Sequence, residues 1–242
     1  MEQRKEVTGM KKKAIHTAFR IIWRQEEKTL TLEGEPVLTY RLSWPELEGA
    51  GRSGARVSRY YAGLAAAWRS RWGRTLYWRA CLDLVRCRAD GRPFRPWTAA
   101  LSGRETTRES GSLLGLRLEC SETWGDGRTL QEVWGDVWDL DTGAPCSLSR
   151  AAGGRRGWRR RLAEQAIENG NARREAGDCF LEPDWTKKFR TLLPRLSFCL
   201  FPDRLELLLP QCAAAPAAEG VVALQVPRFA GNESEATVMP PV

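Results

Sequence analysis

Histidine is nearly missing from this chain: His16 is the only one in 242 residues. Histidine is the usual general base at neutral pH, so a Ser-His-Asp or Cys-His arrangement would have to recruit His16 from a loose N-terminal stretch. The ligand pattern of a metal site is missing too. None of the seven cysteines (Cys81, Cys87, Cys120, Cys146, Cys179, Cys199 and Cys212) forms a C-x-x-C pair, and no histidine stands near them. The chain has no G-x-x-x-x-G-K-S/T loop and no G-x-G-x-x-G fingerprint to cradle phosphates. It has no apolar run of about 18 residues to span a bilayer as a helix, and no internal repeat. No catalytic residue, metal or cofactor is expected.

Tryptophan is plentiful. Eleven of them, with 42% hydrophobic residues, argue for a packed globule. The formal charge is +8, and arginine supplies most of the excess. That balance suits either a solvated surface or attraction to nucleic acid, anionic lipid or an acidic wall polymer. An odd number of cysteines scattered through apolar stretches fits free thiols in a reducing compartment, so a cytoplasmic location is expected. Met10-Lys11-Lys12-Lys13 and the residues to Trp23 faintly imitate an export signal, but His16 and Arg20 interrupt its apolar core. Export or membrane association is the alternative.

Residues 1–26 read as a flexible basic arm, 27–229 as a single α+β domain and 230–242 as a disordered tail. Within the domain, Thr29-Leu30-Thr31-Leu32 and the segment from Pro36 to Trp44 suggest two strands. From 53 to 88, Val57, Tyr61, Leu64, Trp68, Trp72, Leu76, Ala80 and Leu84 recur at three- and four-residue steps. That spacing predicts one long helix, bent near Gly73, with the tryptophans in the core. Strands are predicted at about 95–107, 112–122 and 129–140, joined by short turns as an antiparallel meander. A helix over 158–169, another that Asp184 starts and that runs to 193, a hairpin at 196–200 and 204–209, and a last strand at 221–226 complete the pattern. The expected fold is an antiparallel sheet of five to seven strands with one long helix and one or two shorter helices packed on it.

The strongest charge feature is Arg150, Arg155, Arg156, Arg159, Arg160 and Arg161, with no acid among residues 150–161. Arginine's planar fork suits phosphate or carboxylate, and arginines at a helix start oppose the helix dipole. These six are the candidate ligand-binding residues; a solvated helix entry is the alternative. Asp136, Asp139 and Asp141 lie along the 129–140 strand and its turn. Strand alternation puts Asp136 opposite Asp139 and Asp141, so the three cannot converge on one face.

Several short motifs carry a resemblance. They are Arg59-Tyr60-Tyr61 near the start of the long helix, Asp139-Leu140-Asp141-Thr142-Gly143 after the third meander strand, the hairpin of residues 201–210, and Ala215-Pro216-Ala217-Ala218-Glu219-Gly220. Together they resemble an accessory domain of bacteria. That domain forms the extracellular part of lysozyme-sensing anti-sigma factors and accompanies the catalytic domain of some peptidoglycan deacetylases. The resemblance covers most of the chain from Val37 to Phe229. It marks Tyr60, Tyr61, Asp139, Thr142, Gly143, Pro216 and Gly220 as structural positions, and it implies a non-catalytic binding or accessory domain. The implied partner is a protein or a polyanionic glycan. A nucleic-acid-associated protein using the 150–161 arginines and an enzyme with an unrecognised carboxylate site are the alternatives. The chain departs from many relatives in having Glu122-Thr123-Trp124-Gly125-Asp126-Gly127 where they carry Gly-Gly-Ala-His-Gly, and it lacks their membrane anchor. Neither hydrolase activity nor lysozyme binding is expected.

Overall fold

A computed structural model describes residues 19–108, 113–154 and 156–228. The expectations placed on residues 1–18 with His16, on Arg155 and on the tail from 230 lie outside the described residues. Among the described residues nine strands form two sheets. The larger is mixed and runs in the order β1 (Arg20–Leu32), β2 (Glu35–Glu48), β3 (Trp97–Arg108), β4 (Leu113–Thr123), β5 (Thr129–Asp139) and β6 (Ala144–Pro145). The smaller joins β7 (Ser197–Leu200), β8 (Arg204–Leu209) and β9 (Val222–Pro227).

The fold is α+β with a six-stranded main sheet, but that sheet is not wholly antiparallel. Between β2 and β3 the chain runs as one helical rod: α1 (Gly51–Arg71), a π-helical turn (Trp72–Leu76) and α2 (Tyr77–Ala89). This crossover lets β3 enter parallel to β2, with Leu38 opposite Trp97 and Leu42 opposite Leu101. The C-terminal strands do not extend the main sheet. Gly115 and Gly135 bring the backs of β4 and β5 close to the β7 backbone, so the small sheet lies against the large one.

The rod buries its apolar stripe on the other face of the large sheet. Val57, Tyr61, Trp72, Leu76, Ala80 and Leu84 meet Leu38, Tyr40, Leu42, Leu101, Leu114, Leu116 and Leu118. Each four-residue step along an α-helix overshoots the turn by about 40°, so such a stripe drifts round the rod. The π turn, with its i→i+5 bonding, returns the phase just where Gly73 suggested a bend. The same phase explains a correction: Trp68 is only partly buried, whereas Trp72 is fully enclosed. Trp72 Nε1 donates to Glu122 Oε1 at 2.9 Å, and Arg71 grips the same carboxylate through two bonds of 2.9 and 3.0 Å.

Residues 20–26, expected in the flexible arm, form the first half of β1. They pair with β2 throughout, and Arg20 and Arg24 meet Glu48 and Glu46 across the ladder at 3.1 and 2.5 Å. Trp23 lies over Gly103 so closely that a Cβ there would stand 2.6 Å from the ring.

On the far side, α4 (Trp158–Glu175) and α5 (Trp185–Leu192) pack on the small sheet through Leu162, Ala166, Trp185, Phe189, Leu205 and Leu207. Helix α4 runs past the expected end at 169, because Gly170 admits the Trp185 ring against its backbone. Asp184 stands at the start of α5 without capping it through its side chain; its carboxylate reaches Lys188 instead, at 3.3 Å. No disulfide joins the seven cysteines; six are buried and Cys212 is exposed. Burial pushes the Cys120 and Cys199 thiols up to about 12. Among the described residues no helix is long and apolar enough to cross a membrane.

Candidate functional site

The Asp139–Gly143 motif is a locked turn. Asp139 Oδ1 accepts the N–H groups of Asp141 at 2.9 Å and Thr142 at 3.3 Å, and the Gly143 N–H returns to the Asp139 carbonyl at 2.7 Å. Gly143 takes a φ of +66° beside Ser53 of α1, a conformation that disfavours other residues. The remaining oxygen, Oδ2, holds Arg150 at 2.6 Å. Burial alone would raise the Asp139 pKa; Arg150 and the two turn N–H groups outweigh it and leave it lowered. Arg150, at the end of the short helix α3 (Leu148–Ala151), is thereby tied to the turn.

Asp136 points the other way, toward the helical rod. Tyr61 Oη donates to its Oδ2 at 2.8 Å and accepts Trp138 Nε1 at 2.8 Å. Tyr60 is half-exposed, its ring 5.2 Å from that of Trp138. Burial raises the Asp136 pKa, and burial together with the Asp136 charge raises that of Tyr61 well above its ordinary value. The tyrosine therefore stays neutral and acts as a hydrogen-bond relay that joins β5 to α1. Pro216 and Gly220 flank a 3-10 turn at Ala217–Glu219, where Gly220 faces the Gln131 side chain. Through these bonds Tyr61 joins β5 to α1, and Asp139 joins the turn to α3.

The two aspartates give opposite pH effects. A raised folded pKa means that Asp136 contributes stability below its unfolded pKa and loses it as pH rises through the folded value. A lowered one means that Asp139 contributes above its unfolded pKa and loses that as pH falls. In melting curves from about pH 3 to 8, Asp136→Asn is expected to gain on the wild type as pH rises. Asp139→Asn is expected to fall behind it at neutral pH, with the gap closing in acid.

The arginine run does not form one strip. Arg150 is held by Asp139, and Arg161 donates to the Arg156 carbonyl at 3.1 Å. Arg159 lies over the Trp158 ring, 5.3 Å from its centre, and Arg160 stands 3.5 Å from Glu164 at the exposed surface. Two of the six, Arg159 and Arg160, line a groove of about 460 Å³ between α3, the start of α4 and the end of α5. Its walls are Leu148, Trp158, Ala163, Leu193 and Pro194, with Ser147 and Ser149 at one side. Arg190 enters from α5 as a third cation, with no ion-pair partner among the described residues. Sequence reasoning missed Arg190, whose only signal is the basic face of a short amphipathic helix, Trp185-Thr186-Lys187-Lys188-Phe189-Arg190. Among the described residues no group of three His, Cys, Asp or Glu side chains is placed to hold a metal.

These elements define a two-sheet α+β domain with helices on both sides. No family model matches the chain, and no curated protein matches it. Crystal structures that share the fold include two from bacteria. One is a member of the DUF3298 family from Bacteroides fragilis, 13% identical over 88% of this chain and 91% of that one, with a TM-score of 0.62. The other is a DUF3298 family protein from Pseudomonas aeruginosa, 12% identical over 87% and 90%, with a TM-score of 0.51. The likeness is one of fold. It provides no link to anti-sigma factors or to deacetylase-associated domains.

Proposed function

We propose that this chain is a non-catalytic binding domain and that the Trp158 groove is its ligand site. The ligand is a protein segment that presents a carboxylate beside an apolar side chain. The observation that carries this reading is the convergence of Arg159, Arg160 and Arg190, from two separate helices, on a mainly apolar cavity. An arginine fork binds carboxylate in two-point fashion, while an apolar floor rewards a side chain that leaves water. A duplex or a sulfated glycan would use the cations and leave Trp158, Leu148 and Leu193 without a role. Seven cysteines with no disulfide among them support a reducing compartment as the location.

Calorimetric titration tests it, with a short Leu/Phe-Glu peptide, heparin and duplex DNA, each at two salt concentrations. The peptide is expected to bind with weak salt dependence and to lose about tenfold in affinity in Arg159→Ser/Arg190→Ser. DNA binding with a slope near −0.9 per phosphate contact, in the absence of peptide binding, would replace this reading with the nucleic-acid one.

A further inference from the structure

The solvent face of α2 carries Trp78, Leu82 and Val85, which are 63%, 57% and 52% exposed. Their four- and three-residue spacing stacks them on one side of the helix, so three large apolar side chains form a continuous outward stripe. The buried stripe of the same helix, Ala80, Cys81, Leu84 and Cys87, already supplies its packing to the domain. The outer stripe is surplus to the fold.

Beside Leu82 the surface is concave. A pocket of about 420 Å³ opens between α2 and the β4–β5 turn, with Leu82 on one wall and Trp97 and Trp124 on the other. The two rings lie 6.0 Å apart, and Trp97 Nε1 donates to Asp83 Oδ2 at 2.9 Å, which occupies the acid of this helix face. Gly125 closes the turn against α2 so tightly that a Cβ would stand 2.8 Å from Asp83 Oδ2 and 3.0 Å from the Arg95 carbonyl. The pocket wall is therefore fixed by close backbone approach. Trp124 Nε1 is buried without an acceptor.

The rim is basic. Arg79 and Arg86 line the pocket with no ion-pair partner among the described residues, whereas Arg128 is matched by Asp126 at 2.6 Å. Two free cations on either side of Leu82 disfavour pairing with a second copy of the same face and favour an acidic partner. A pocket next to a straight stripe takes a protruding side chain, which a flat lipid surface does not offer. The geometry points to a second docking surface, on α2, for an acidic amphipathic helix of a partner protein. That helix lays apolar side chains along Trp78, Leu82 and Val85, sets one in the Trp97/Trp124 pocket, and directs carboxylates to Arg79 and Arg86.

Selection from a random peptide display library on the full chain tests this, with counter-selection on Leu82→Glu and, separately, on Val85→Glu. Both positions are exposed, so the variants should fold, and circular dichroism checks that they do. Enriched peptides are expected to carry Leu, Phe or Trp at three- and four-residue spacing flanked by Asp and Glu. Their affinity should fall about tenfold in Leu82→Glu and in Arg79→Glu/Arg86→Glu, and remain unchanged in Arg159→Ser/Arg190→Ser. The proposal is overturned if enriched peptides bind Leu82→Glu as well as the wild type or if they are basic. It is equally overturned if nothing is enriched while phosphatidylglycerol vesicles bind through this face.

Discussion

Replacing Trp72 by alanine is expected to cost about 3–5 kcal/mol, the range for deleting a large aromatic from a core that cannot collapse. The ring has no exposed surface, packs at 5.7 Å from Tyr40 and 5.4 Å from Trp68, and sits where the rod changes from α to π geometry. Its removal also takes a donor from Glu122, a buried carboxylate that would keep only Arg71. Trp68→Ala, one turn earlier and partly exposed, is expected to cost clearly less. Urea denaturation of both variants checks the order. Equal costs would mean that the phase assigned to the helix is wrong.

Gly135→Ala is expected to be comparably damaging for the opposite reason. The added methyl would stand 2.0 Å from the Phe198 carbonyl oxygen and 2.7 Å from Cys199 Sγ. The nearest obstacle is backbone, so no rotamer change relieves it and the two sheets must move apart. Overpacking of this kind costs about 1–3 kcal/mol, and this contact belongs at the upper end. The move would also break the bond from the Gly135 N–H to Ser197 Oγ at 2.8 Å, which ties β5 to β7. Thermal melting should show one lowered transition or the small sheet with α4 and α5 unfolding first. An unchanged melting temperature would contradict the close sheet-to-sheet contact.

Features with a local cause were the legible ones. The three- and four-residue spacing of Val57, Tyr61, Trp72, Leu76 and Ala80 marked the long helix, because a buried helix face needs that period. Strands β3 to β5 were legible from their alternation and short turns, and Asp136 was correctly set opposite Asp139 by strand parity. Features that depend on distant partners were not. Residues 20–26 have no apolar alternation of their own, and their order comes from cross-strand charges and from Trp23 over Gly103. The parallel β2–β3 pair follows from where the rod returns the chain, which no local pattern records. Gly135 inside β5 admits the β7 backbone at close range, and that partner lies about 60 residues away, beyond any local pattern. Six arginines stood out by charge, but Asp139 holds Arg150, the Arg156 carbonyl holds Arg161, and Arg190 joins Arg159 and Arg160 at the groove from another helix, none of which is readable from spacing.

The groove is tested most directly by following the indole N–H signals of all eleven tryptophans in a ¹⁵N-labelled sample titrated with the Leu/Phe-Glu peptide. The Trp158 signal should move in proportion to binding, while that of the buried Trp72 holds still, and the midpoint should rise about tenfold in peptide concentration in Arg159→Ser/Arg190→Ser. A titration that leaves Trp158 unmoved while the peptide binds, or that moves it with the same midpoint in the arginine variant, would contradict the assignment of this groove as the ligand site.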